Sequence, residues 1–247
     1  MIRFIRALKV EFFKLKRSFA WWFVILAPLL MVLNGASNFN RFQSLFLAGG
    51  GAWLKLQVQI VLWYSILLLP LSIGVLSMLL NRMEHSENSW KHLLALPIPR
   101  SIVYLAKLTN QLILTGISLL ILAIGIFVSG FMLGISDPVP YSSILKGIVT
   151  GWVACWPIVA IQFWLSIRFP GIGVPMGFSA ATAISGVLLT QSKYGKFYLW
   201  SYPALSMLPS DQGIQVLTSI YLFVVSLGMF VVCTSFGLWE FNGRDIQ

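Results

Sequence analysis

Between Lys55 and Arg82 the chain carries no acid, lysine or arginine, and the same holds between Lys107 and Asp137. Cut at every such charge, the sequence leaves six long stretches: 18 to 40, 56 to 81, 108 to 136, 147 to 167, 169 to 192 and 212 to 239. A helix needs about 20 residues to cross roughly 30 Å of hydrocarbon, and each stretch reaches that length. A membrane barrel would alternate in polarity over segments of about ten residues, whereas these are continuously apolar. The expectation is an all-α integral membrane protein, a single transmembrane domain over residues 1–247 with spans at 20–37, 57–80, 103–135, 147–167, 171–190 and 214–239. A charged fraction of 10% excludes an ordinary globular domain, in which it is about a quarter.

The formal net charge of +10 in a soluble protein would suggest nucleic acid, but here the positions of the charges matter more than their sum. With the N-terminus in the cytoplasm, twelve basic residues fall inside and only Arg41, Lys55, Lys146, Lys193 and Lys196 outside. That bias predicts both termini in the cytoplasm of a plasma membrane and a basic face for lipid, with no nucleic acid as partner. Residues 1–17 predict an amphipathic helix lying on the headgroups, with Met1, Phe4, Ile5, Leu8, Phe12 and Leu15 on one arc. Glu11, at the edge of that arc and three residues before Lys14, can make a helix pair or contact a partner, and the local pair is the expectation. No Ala-x-Ala site follows, so the first span reads as an uncleaved helix. Cys155 and Cys233 lie inside apolar stretches and read as small buried residues.

Residues 82 to 107 form a polar island between two spans and must lie in water. Ser86 or Ser89 can cap a short helix from Trp90 to Leu96, which Pro97 and Pro99 stop before Ser101 opens the next. A Trp90, Leu93 and Leu94 face with acids before it suits docking on a soluble partner; a solvated hairpin between two spans is the alternative. The third helix, from Ser101 to Ile135, would run for about 50 Å, so its start should project into the cytoplasm and leave Lys107 wet. Pro28, Pro70 and Gly74 are expected to bend the first two spans. The turn at Arg168-Phe-Pro-Gly171 makes a tight hairpin, and residues 197–210, rich in aromatics and proline, fit an external re-entrant segment.

Chemistry is sparse. Gly49-Gly50-Gly51 lacks the Gly-Lys-Ser/Thr ending of a phosphate loop, and His85 and His92 lack the spacing of a zinc site, so neither catalytic residues nor a bound metal are expected. Ionisable groups fall only at the ends of the apolar stretches, which argues against ion-coupled transport. The hydroxyls and amides inside them, Gln111, Thr115, Ser118, Gln162, Ser166, Ser179, Thr182, Ser185 and Thr190, read as bonds between helices or as the lining of a path. Gly130/Gly134, Gly147/Gly151 and Gly173/Gly177 have the spacing of close helix approach.

Three features together resemble the permeases of type-2 ABC exporters: the opening Glu11-Phe-Phe-Lys-Leu-Lys-Arg-Ser18, the six spans, and the central Glu87-Asn-Ser-Trp90-Lys-His-Leu-Leu-Ala-Leu-Pro97-Ile-Pro-Arg100 followed by Tyr104-Leu-Ala-Lys107. The nearest resemblance is to the lantibiotic and bacitracin immunity branch, in the bacterial cell membrane. It implies a connecting helix at 1–17, a coupling helix at 84–96 and a re-entrant segment at 197–210. The contact to an ATP-binding cassette subunit would be made by Glu84, Glu87, Asn88, Trp90, Lys91, Leu94 and Arg100. It further implies two copies of that ATPase, holding ATP and Mg, and a second permease, identical or homologous, in a dimer. The substrate path would run along the second and fifth spans, where Ser179, Ala181, Thr182 and Ser185 are candidates. A membrane scaffold or assembly protein with no transport path is the other class of function that the pattern allows.

Overall fold

A computed structural model describes residues 2–16, 18–86, 99–208 and 219–243. Among them every regular element is helical: α1 (Ile2–Leu15), α2 (Ala20–Arg41), α3 (Gln43–Leu47), α4 (Ala52–Trp63), α5 (Leu69–Ser86), α6 (Arg100–Met132), α7 (Tyr141–Arg168), α8 (Gly173–Leu189), α9 (Tyr202–Met207) and α10 (Ser219–Gly243). Five helical stretches of the described residues are long and apolar enough to cross a membrane: 20–41, 52–82, 100–132, 141–168 and 221–243. The expected fifth span corresponds to α8, a shorter apolar helix whose 17 residues rise about 25 Å.

The second apolar stretch is continuous but not uniform. Between α4 and α5, Tyr64–Leu68 form a π-helical turn two residues ahead of Pro70. A proline inside a helix removes one backbone donor and crowds the preceding turn, and a wider turn at that point relieves the crowding. Pro28, by contrast, sits inside α2 without ending it.

Close approach of helices rests on particular glycines. A side chain at Gly130 of α6 would collide with the Trp53 ring, one at Gly74 of α5 with Ser179 of α8, and one at Gly151 of α7 with Met207 of α9. Of the three spaced glycine pairs, only Gly147/Gly151 lies wholly against a neighbour. Gly134 has a positive φ of 66° at a helix end, and nothing lies near Gly173 or Gly177. Hydroxyls and amides join the same helices: Tyr64 to Ser118 at 2.9 Å, Asn81 to Ser166 at 2.7 Å, Gln111 to Ile73 O at 3.1 Å and to Ser77 Oγ. Gln162 is buried with no hydrogen-bond partner among the described residues. Cys155 is buried as expected, whereas Cys233 is half-exposed.

One end of the bundle is fastened through Asp137. Its carboxylate accepts from Ala52 N at 2.9 Å, capping the first turn of α4, and its carbonyl accepts from the Trp53 indole at 3.0 Å. The three glycines before that cap have φ of 79°, 74° and 68°, a run that residues with a side chain rarely adopt. Residues 195–207 fold as two 3-10 turns and α9, with Tyr202, Ala204, Leu205 and Met207 buried. Gln57 donates to Met207 O at 2.8 Å and Thr190 to Ser201 at 2.8 Å, so α9 is held against the bundle while Phe197 stays exposed.

Candidate functional site

At the other end of the bundle three helices meet around one buried charge. Expected to be wet, Lys107 is instead 1% exposed. It sits two turns into α6, where α1 lies across it, and its Nζ donates to Glu11 Oε2 at 2.7 Å and to Leu80 O near the end of α5 at 3.2 Å. Glu11 also accepts from Lys14 at 2.9 Å, so the local pair forms but is only half of the arrangement. Asn110, one turn along α6, donates to Leu8 O of α1 at 3.3 Å.

The stripe of α1 that turns toward the bundle is therefore Phe4, Leu8, Glu11 and Leu15, spaced by three and four residues with the carboxylate in its midst. Ile5 and Phe12, on the same apolar arc, remain exposed and free for lipid. Phe12 meets Trp21 edge-on at 6.1 Å, which joins α1 to the start of α2. Burial raises the proton affinity of the Glu11 carboxyl, and the charges and hydrogen bonds of Lys107 and Lys14 outweigh that effect. The net result is a pKa below the ordinary 4.5. Sequence reasoning gave Glu11 its local pair and missed the long-range one with Lys107, yet a signal was present: Glu11 is the only acid before Glu84.

A second cluster closes the far side of α6. Glu240 of α10 accepts from the Trp164 indole at 2.6 Å and pairs with Arg168 at 3.3 Å, both on α7. Arg100 donates to Asn242 O at 3.5 Å, and the Tyr104 ring packs between Phe163 and Phe241. The first two turns of α6 are thus held by α1 and α5 on one side and by α7 and α10 on the other.

The sequence-predicted docking residues are placed unevenly. Arg100 opens α6, and the backbone of Glu84 belongs to the last turn of α5. Glu87, Asn88, Trp90, Lys91 and Leu94 lie outside the described residues, as does nearly all of the 84–96 segment.

The four path candidates on α8 fall on different faces. Ser179 is buried and donates to Pro70 O at 2.9 Å, against the second span. Thr182 and Ser185 lie at the edge, where the Tyr198 hydroxyl meets Ser185 Oγ at 2.6 Å and donates to Thr182 O at 2.7 Å. Ala181 is exposed, in line with Gly173, Val174, Gly177, Phe178, Ile184 and Leu188. The buried Pro175, Ser179, Ala183 and Gly186 form the opposite face.

A family model described as ABC-2 family transporter protein matches residues 7–186, from the first helix through most of α8. No curated protein and no solved structure matches the chain. The matched stretch contains the Glu11–Lys107 pair, both helices that flank residues 87–98, and all four α8 candidates. It covers well over half of the 247 residues. The chain therefore belongs to the ABC-2 family of transporter proteins, as a multi-pass membrane permease subunit that is not itself an ATPase and works with one.

Proposed function

We propose that the chain is an export permease that moves an amphipathic peptide antibiotic of the lantibiotic kind, or a related hydrophobic compound, out of the bacterial plasma membrane. It pairs with a second permease, identical or homologous, above two ATP-binding cassette subunits that hold ATP and Mg. Both termini lie in the cytoplasm, on the side of the basic residues of α1, Arg82, Arg100 and Arg168. The coupling contact is the 84–96 segment with Arg100, and α1 is the connecting helix.

The observation that carries this reading is the uncovered face of α8. The exposed stripe of α6 holds Leu120, Ile124, Val128 and Phe131, bulk of the kind that fills a lipid-facing surface. The exposed stripe of α8 instead holds Gly173, Gly177 and Ala181 among its larger side chains, with open space beside both glycines. Small residues on an exposed membrane helix suit either a second helix in close approach or room for a passing apolar chain, and a permease dimer with a path between its halves uses both.

Replacing Ala181 with Trp fills that space. Export is expected to stop while the protein folds and retains its ATPase; a stable, assembled and fully active Ala181→Trp variant removes the support for this path. For the coupling contact, Trp90→Ala is expected to release the ATPase or uncouple its hydrolysis, because a single aromatic anchor tends to dominate a small docking site. Unchanged co-purification together with unchanged export would overturn that assignment.

A further inference from the structure

A buried ion pair is a poor way to gain stability. Removing two charges from water costs several kcal/mol per ion, and apolar side chains of similar volume hold helices together as well or better. Its attested use is to fix one arrangement against others, because the charges are satisfied in a single register. Lys107 and Glu11 form such a pair, with both side chains almost wholly buried. The pair has company that points the same way. Lys107 also donates to Leu80 O of α5, Asn110 to Leu8 O of α1, and Gln111 to Ile73 O of α5. Within five residues, α6 is therefore tied polar group by polar group to both α1 and α5. Sliding α6 by one turn would break all of these ties at once, and sliding α1 or α5 would break those on its own side.

These ties sit where the chain leaves α5 at Ser86 and enters α6 at Arg100. We infer that Glu11 and Lys107 are positioning residues for energy coupling: they lock α1, the last turns of α5 and the first turns of α6 into one body. A displacement delivered between Ser86 and Arg100 then moves the second and third spans together, and α1 travels with them. The inference rests on the reading that an ATPase docks on that connection.

The test uses the permease reconstituted with its ATPase in liposomes, with ATP hydrolysis and export measured separately. Glu11→Gln keeps the shape of the side chain and removes the carboxylate charge that faces Lys107. Export per assembled complex is expected to fall about tenfold or more while the ATPase still co-purifies and hydrolyses ATP. Glu11→Gln/Lys107→Gln, which replaces the ion pair by two amides able to bond each other, is expected to recover part of that loss. Wild-type export per complex in Glu11→Gln would overturn the inference.

A cross-link decides the matter even where Glu11→Gln folds poorly. In a background with Cys155 and Cys233 replaced by Ala, Glu11→Cys and Lys107→Cys are bridged by a short bifunctional thiosulfonate. Helices that move as one body export at least as well after bridging as before it, the bridge standing in for the lost ion pair, whereas a further loss of export on bridging shows that α1 must slide on α6 and overturns the inference. Trp90→Ala separates the underlying reading: an ATPase that still binds and drives export in that variant tells against docking on the connection and leaves the bridging result standing.

Discussion

Lys107 shows what a single side chain conceals from a one-dimensional reading. Its position at the end of an apolar stretch is that of a boundary charge, and a boundary charge is ordinarily solvated. What buries it is α1, nearly a hundred residues earlier, whose carboxylate reaches it only once the chain has folded back. Because the Glu11 pKa lies below the ordinary 4.5, the ionised form is favoured in the folded protein. The stabilisation is present above that ordinary value and is lost as pH falls through the lowered one. Glu11→Gln does not titrate, so the difference in thermal unfolding between wild type and this variant isolates the contribution. At neutral pH the variant should be less stable than wild type, and the gap should narrow as pH falls through the lowered Glu11 value. Glu240→Gln provides a contrast, since Arg168 and Glu240 are 42% and 22% exposed. Loss of that ion pair should cost no more than about 1 kcal/mol.

At the scale of elements, three glycine pairs share one spacing and only one pair is buried against another helix along its whole length. Spacing states that two small residues lie on one face; it does not state what the face meets. Gly151→Leu should therefore destabilise the protein by about 1–3 kcal/mol through collision with Met207, while Gly177→Leu, which points into open space, should leave the unfolding midpoint nearly unchanged. Helix existence was legible because apolar stretches set by the bilayer are long, and the expected spans lie within or close to the observed helices. Helix ends were less so. Thus α4 begins at Ala52 and not at 57, since Asp137, 85 residues away, supplies its cap. Asp137→Ala should cost about 1 kcal/mol and loosen the amides of the first turn of α4, which hydrogen exchange would register.

For the whole molecule, class was legible because charge and hydropathy are properties of the sequence itself, and family character through the resemblance carried by the opening and central motifs. Which helices meet was not, because an apolar residue facing lipid and one facing protein look alike, and inside a membrane hydrophobicity gives no preference between them. The π-helical turn at Tyr64–Leu68 makes that difference concrete. Among the buried positions of the second apolar stretch, one stripe runs 53, 56, 60 and 64, then steps by five to 69 and continues 73, 76 and 80. An unbroken α-helix would have continued through Leu68, Leu71, Val75 and Met78, each of which is only half-buried. The inserted residue advances the phase of everything after it by about 100°. Only in that phase do Ser77 and Asn81 meet Gln111 and Ser166, and Gly74 meet Ser179. The lower half of this helix is thus in frame with its partners by one residue. A single deletion within 64–68 would regularise the helix and rotate Gly74, Ser77 and Asn81 away from Ser179, Gln111 and Ser166.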